Sequence, residues 1–261
     1  MPPSGKEIYR TQDELGLIQV FDDGDARYLS FGEDDEQSCV LKAHPFIPQY
    51  DYIQAMLLPL LYRRPRDVIL LGLGGGALAS FLFRHYPQTT LRAVELRQAV
   101  IDIAHQFFNV PYDQRLQIFA MEAGDFIRDP ELTKTDLILC DLYDGDGMDE
   151  RYFQPWFIER AAELLNDNGW LVINCWEEHR EDFDTLGAIT QYFAEVYTCT
   201  VDTGNWVVMA SRARNHLDPK KLLTQADAQS KKFGFSMRDK LNRLYEVYPG
   251  FDDEEFDDEN F

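Results

Sequence analysis

The sequence predicts an α/β protein built on a mostly parallel sheet covered on both faces, and three observations carry that expectation. From Val68 onward, short apolar segments alternate with stretches of helical periodicity, the mark of βαβ units. The first of these segments runs straight into a glycine-rich turn, Gly72-Leu73-Gly74-Gly75-Gly76-Ala77. The last two are joined only by Asp202-Thr203-Gly204-Asn205, a connection that fits antiparallel neighbours, because a parallel crossover needs about a dozen residues or more.

The elements follow in order. Leu17 to Phe21 and Ala26 to Phe31 flank Asp22-Asp23-Gly24-Asp25, which reads as a hairpin with Gly24 supplying the turn's positive φ. Tyr50 to Tyr62 reads as a helix broken near Pro59, and Pro65 ends this lead-in. Residues 1–65 are thus expected to form a small N-terminal β-hairpin module with a lead-in helix, and residues 66–213 an α/β domain that carries the glycine-rich turn. Strands of that domain are placed at Val68–Leu71, Thr90–Glu95, Leu116–Ala120, Leu137–Asp141 and Trp170–Asn174, closed by the pair Val196–Val201 and Trp206–Ser211. Helical spacing joins Ala99, Val100, Ile103, Ala104, Phe107 and Phe108, and again Phe153, Trp156, Phe157, Ala161, Leu164 and Leu165. Residues 214–261 are expected to be a peripheral helical appendix: Asp218-Pro219 caps one helix, Ser236-x-x-Asp239 opens a second, and an acidic tail follows Pro249-Gly250. That tail, with seven carboxylates, is expected to be dispensable for folding and for ligand binding.

Composition removes several function classes. Lys and Arg number 25 against 46 Asp and Glu, a net charge of −21 that repels phosphate, and no local basic stripe offsets it, so a nucleic-acid partner is not expected. A cationic ligand suits the balance better. The longest uncharged run, Val68 to Phe83, is shorter than the roughly 18 residues of a spanning helix and is rich in glycine, so no membrane anchor is expected. Cys39, Cys140, Cys175 and Cys199 lie far apart without a CxxC pair, and the start Met1 to Arg10 is polar, which together imply the reducing cytoplasm and free thiols. The histidines lack metal-ligand spacing, and HExxH and GxSxG are absent, so neither a metal site nor a serine hydrolase is expected.

The chemistry gathers at strand ends. Gly72, Gly74, Gly75 and Gly76 allow close backbone approach to a ligand at a helix N-terminus, and Glu95 closes the next strand, placed to hold both hydroxyls of a ribose. A nicotinamide dinucleotide and S-adenosylmethionine both suit such a turn followed by an acid. The closing antiparallel hairpin favours the second, because it resembles the class I methyltransferase-like fold, a Rossmann-like sheet of strand order 3-2-1-4-5-7-6. In that fold an acid after the third strand contacts the adenine amine; Glu122 stands there, with Asp125 as the competing choice. Past the fourth strand, Cys140 to Glu150 forms a carboxylate-dense loop where open α/β sheets bind ligands. Asp141 and Asp144 are placed to take a proton from, or balance, an ammonium substrate, while Asp149 reads as the cap of the helix that follows. The loop lacks the glycine and terminal glutamate of an EF-hand.

From Leu17 to Arg212 this layout resembles the spermidine synthase family of polyamine aminopropyltransferases. The N-terminal hairpin, Gln37-Ser38, Gln54-x-Met56, the glycine turn, Val94-Glu95 and the Asp-x-x-Asp at Asp141 and Asp144 carry the likeness. The resemblance implies transfer of an aminopropyl group from decarboxylated S-adenosylmethionine to a small cationic amine such as putrescine, without a metal. It further implies that the acid matching Glu95 holds the ribose, that Asp141 helps deprotonate the attacking amine and that Asp144 helps bind the polyamine. Gln54 matches a glutamine near both substrates.

Departures cluster at the substrate end. Gly75 stands where the family's turn has an aspartate that grips the aminopropyl ammonium, Ile53 replaces a tyrosine, Asn174 a glutamine and Gly145 a proline. Two other readings therefore stand beside aminopropyl transfer: an S-adenosylmethionine-dependent methyltransferase, whose donor carboxylate would meet glycine N–H groups in place of a like charge, and a non-catalytic adenosyl-binding module. A homodimer is compatible with each.

Overall fold

Period-2 alternation in the first forty residues builds an antiparallel sheet of four strands, β1 (Lys6–Asp13), β2 (Gly16–Asp22), β3 (Ala26–Ser30) and β4 (Glu36–Leu41), in the order β1-β2-β3-β4. The computed structural model describes residues 5–32, 36–144, 147–181, 183–215 and 218–247; the acidic tail lies outside them. The expected hairpin is β2–β3, with Gly24 at φ +97°, and the sheet adds a strand on each side of it. β1 escapes a hydropathy reading because its eight residues alternate only between exposed and half-buried, with Ile8 facing out. The sheet turns Ile18, Val20, Leu29 and Val40 onto Val100, Ile103 and Phe108, which makes a separate small core.

The lead-in is helix α1 (Asp51–Met56) followed by a 3₁₀ turn over Leu58–Leu61, Pro59 denying the α-helix its next donor. The main domain then runs β5 (Asp67–Leu71), α2 (Ala77–His85), β6 (Thr90–Glu95), α3 (Gln98–Phe107), β7 (Leu116–Ala120), α4 (Ala123–Arg128) and β8 (Thr135–Cys140). Two two-residue strands, β9 (Tyr143–Asp144) and β10 (Gly147–Met148), pair with each other before a 3₁₀ turn capped by Asp149, which accepts from the Arg151 N–H at 3.1 Å. After α5 (Pro155–Leu164) come β11 (Leu165–Trp176), α6 (Phe183–Tyr192), β12 (Glu195–Thr200) and β13 (Asn205–Ser211). The chain then forms α7 (Pro219–Phe233), α8 (Met237–Asn242) and β14 (Leu244–Val247). Asp218 caps α7, accepting from the Lys220 N–H at 2.8 Å, and Ser236 caps α8, accepting from the Asp239 N–H at 3.1 Å.

The large sheet has the order β14-β12-β13-β11-β8-β5-β6-β7. Counted from β5, its first seven strands follow 3-2-1-4-5-7-6, with β13 antiparallel to both β11 and β12. The buried strands alternate between two cores: Val68 and Leu70 of β5 face one, Ile69 and Leu71 the other, and β8 divides Leu137 and Leu139 from Ile138 and Cys140 in the same way. One correction concerns the C-terminal part. It is more than a helical appendix: β14 pairs antiparallel with β12 and extends the sheet, while Phe233 and Met237 are buried in the core beside Phe81. Four residues with the pattern Leu-Tyr-Glu-Val carry too little periodicity to announce a strand.

Asp136 fixes the far end of the strand that leads to the site. Its carboxylate, 5% exposed, accepts from the Arg66 N–H at 2.7 Å and the Asn166 amide at 2.9 Å, and pairs with Arg63 at 2.8 Å. Burial opposes the charge, yet these donors hold the carboxyl below its ordinary value. Asp136→Ala is therefore expected to cost about 2–4 kcal/mol in chemical denaturation at pH 7, because it strands an N–H and a guanidinium. The depressed group contributes its stability above the unfolded carboxyl value, so the difference between wild type and variant should shrink as pH falls below about 4. Equal denaturation midpoints at pH 7 would refute this anchor.

Candidate active site

The site lies at the C-terminal ends of β5, β6 and β8, where the glycine turn forms. Gly72 donates to the Val94 carbonyl at 2.9 Å, and the Asp141 N–H donates to the Leu71 carbonyl at 2.9 Å, so three strands meet at this point. Gly72 has φ +91°, and a Cβ there would sit 2.1 Å from the Asp141 carbonyl oxygen. No other residue lets the backbones of the turn and of Asp141 come so close.

Glu95 ends β6 beneath the turn. Its Oε2 accepts from the N–H groups of Leu73 (3.2 Å) and Gly74 (3.3 Å), and its Oε1 from the Arg97 N–H (3.0 Å). Burial raises the carboxyl above its ordinary value, and the three N–H groups pull against that shift. Gly75 donates to the Ser38 Oγ at 2.9 Å, and a Cβ at this position would lie 2.7 Å from the Ser38 Cβ and 3.1 Å from Phe108. Ser38, brought from β4, thus occupies the space that a side chain at position 75 would need. Gly76, in the left-handed region at φ +76°, starts α2 with its N–H on the Leu73 carbonyl, and a Cβ there would strike Val110 at 2.2 Å. The Gln54 amide donates to the Pro48 carbonyl at 2.9 Å, and Pro48 lines a narrow cleft with Ser38, Gly75 and Gly76.

Glu122 follows β7 on the same rim, where the Met121 N–H donates to the Glu95 carbonyl at 3.1 Å. It is the N-cap of α4: its Oε2 accepts from the Asp125 N–H at 2.9 Å, while Arg151 lies 3.6 Å from its Oε1. Asp125 is exposed in the first turn of α4.

Asp141 stands at the end of β8 beside the turn. Burial pushes its carboxyl from the ordinary 3.8 up to about 6, and the Asn174 amide, donating to Oδ1 at 2.9 Å, pulls against the shift. Tyr52 of α1 and Tyr143 face it, and burial, with the Asp141 charge behind it, raises both phenols so that they stay neutral. The Tyr143 ring packs edge-on against Trp176 at 5.5 Å, and its hydroxyl is buried without a well-formed hydrogen bond among the described residues. The Asp144 backbone pairs with Gly147; its side chain lies outside the described residues. Tyr52, Tyr143 and Asn205, whose side chain faces Tyr143, are residues at the site that strand-end reasoning missed; Ser38 was marked only by the Gln37-Ser38 pair of the family likeness. Among the described residues no cluster of three or more metal-ligating side chains occurs.

Glu95→Ala should weaken methylthioadenosine binding by about 1.5–3 kcal/mol, the scale of hydrogen bonds to a charged group, as read by calorimetry. Unaltered affinity in the variant, or no binding heat in the wild type, would remove Glu95 from nucleoside recognition.

Comparison with known proteins agrees with this geometry. The sequence profile described as "Spermine/spermidine synthase domain" matches residues 52–217. A polyamine aminopropyltransferase of Neisseria meningitidis serogroup A is 27% identical over 235 residues, covering 87% of this chain and 88% of that protein. A probable spermidine synthase from Corynebacterium glutamicum superposes with a TM-score of 0.72 at 18% identity, over 94% of this chain and 90% of the other. A spermidine synthase solved in complex with the transition-state analogue AdoDATO gives a TM-score of 0.64 at 17% identity over 88% of each chain. With its glycine turn, Glu95 and Asp141 inside the matched span, the chain belongs to the spermine/spermidine synthase family.

Proposed function

We propose that the protein transfers an aminopropyl group from decarboxylated S-adenosylmethionine to a polyamine such as putrescine. One observation carries this reading: a buried carboxyl with raised proton affinity, Asp141, touches the nucleoside turn through its own backbone, so donor and proton acceptor share one rim. The name of the Neisseria relative and the analogue bound by the structural neighbour support it.

In the reaction a neutral amine attacks the carbon beside the sulfonium. A C–N bond forms, the C–S bond breaks with its electron pair going to sulfur, and methylthioadenosine leaves as a neutral thioether. The proton that Asp141 takes up is the one the acceptor ammonium gives up to become that amine, and the product nitrogen stays an ammonium; positioning and that proton transfer are the protein's contribution. Glu95 would hold the ribose hydroxyls, Glu122 the adenine amine with Asp125 as the other candidate, and Asp144 would steer the amine. Gln54 braces the cleft wall. No metal is needed, because the sulfonium brings its own leaving group.

The turn itself discriminates between donors. The N–H groups of Leu73 and Gly74 are taken by Glu95, and that of Gly75 by Ser38, so the turn offers an intact methionine carboxylate no free donor from these three residues. This favours the decarboxylated donor over methyl transfer. The net charge of −21 and the free cysteines fit a cationic substrate and the reducing cytoplasm, and a homodimer is compatible with both.

The test offers S-adenosylmethionine or its decarboxylated form with putrescine and reads products by mass. An aminopropylated amine is the expected product; a methylated one would select the methyltransferase reading, and none with tight nucleoside binding the non-catalytic one. Asp141→Asn should lower kcat by about 10²–10⁴-fold and leave methylthioadenosine affinity unchanged. As a base Asp141 works ionised, so wild-type kcat should rise with pH through about 6. Because the folded state binds this proton more tightly than the unfolded chain, the carboxyl costs stability above pH 6 and ceases to as pH falls toward 4. The Asn variant should therefore melt at or above the wild-type temperature at pH 7.5, and a markedly lower Tm would overturn this reading of Asp141's environment.

A further inference from the structure

Asp141 does not meet Asn174 in isolation. The Asn174 Oδ1 accepts from the Asn205 Nδ2 at 3.2 Å, and the Asn205 Oδ1 accepts from the Thr203 hydroxyl at 2.9 Å. Asn174 and Asn205 are 2% and 7% exposed, while Thr203 lies at the exposed hairpin turn between β12 and β13. An ionised carboxylate only accepts, so it requires the Nδ2 of Asn174. That choice turns Asn174 Oδ1 toward Asn205, which must then present its own Nδ2, and its Oδ1 in turn requires a donor from Thr203. The direction of three side chains is therefore tied to the charge of one. A protonated Asp141 would accommodate the reverse order, in which Asn174 offers an oxygen.

We propose that Asn205, acting through Asn174, is a positioning residue for the reaction: the Thr203–Asn205–Asn174 chain holds the Asp141 carboxylate ionised and aimed at the acceptor amine. The inference rests on the reading of Asp141 as the proton acceptor. The titratable groups facing Asp141 are Tyr52 from α1, Tyr143 after β8 and the neighbouring thiol of Cys140, all of whose acidities burial weakens, so the described surroundings supply neutral walls and one directed donor. Asn205 also faces Tyr143.

Asn205→Leu removes the donor without adding charge and frees Asn174 to turn its oxygen toward Asp141. The acid limb of the kcat profile should move up by about 0.5–1 pH unit, so that kcat falls about 2–5-fold near pH 6 and recovers by pH 8.5. Methylthioadenosine affinity and the donor KM should not change. Thr203→Val at the exposed end should give a smaller shift of the same sign even if Asn205→Leu folds poorly. The Asp141 carboxyl carbon, followed by NMR without substrate, should titrate at a higher pH in Asn205→Leu and Thr203→Val. Coincident titration curves in wild type and both variants would overturn the proposal. A shifted NMR titration in a protein that transfers no aminopropyl group would instead sustain the hydrogen-bond chain and refute the assigned reaction.

Discussion

The closure of the glycine turn is the constraint on which the rest of the site depends. Gly72 is held to β6 by its N–H and lies against the Asp141 carbonyl with no room for a side chain, while Asp141 is held to β5 by its own N–H. Glu95 then satisfies two further donors of the turn and Ser38 a third. A buried backbone N–H left without a partner costs about 1–3 kcal/mol, so this closure is needed for the fold before any ligand arrives. It also fixes the distance between nucleoside turn and proton acceptor by backbone contact alone, which no rotamer change can alter.

The same closure accounts for a glycine at position 75. A side chain there would run into Ser38 and Phe108, both of which come from outside the βαβ unit that makes the turn. Ser38 of the N-terminal sheet puts a hydroxyl against the position where the family resemblance leads one to expect an aspartate. In the proposed reaction the donor's ammonium meets a neutral hydroxyl at that point, and the carboxylates that remain to hold positive charge are those beyond β8.

Much of this was legible in the chain because it sits at strand ends. Val68 to Leu71 alternates between two buried faces, the turn follows at once, and Glu95 and Asp141 close the neighbouring strands, so sheet order alone brings them together. The closing hairpin fixed the far side of the sheet in the same way. What escaped was set by tertiary contact. β1 and β14 are polar or short and become strands because a partner edge awaits them. Ser38 reaches Gly75 across 37 residues of sequence and Asn205 reaches Asn174 across 31, neither at a spacing that local pattern encodes. Glu122 shows the converse: the position after the third strand was legible, but its employment as the cap of α4 depends on the helix that follows.

Electrostatics ties these parts together. Around Asp141 the described groups are phenols kept neutral by burial, a thiol kept neutral for the same reason and an amide that donates once. Burial alone would drive the carboxyl to protonate, and a single hydrogen bond recovers only part of the lost hydration. In the proposed reaction a positive charge on the substrate adds to that compensation. An aliphatic ammonium, with a pKa of about 10 in water, supplies it, and the same dry surroundings that raise the carboxyl's proton affinity lower the ammonium's. Burial thus draws the two proton affinities together from opposite sides, and in the proposed reaction that convergence is what lets a carboxylate free an amine for attack near neutral pH.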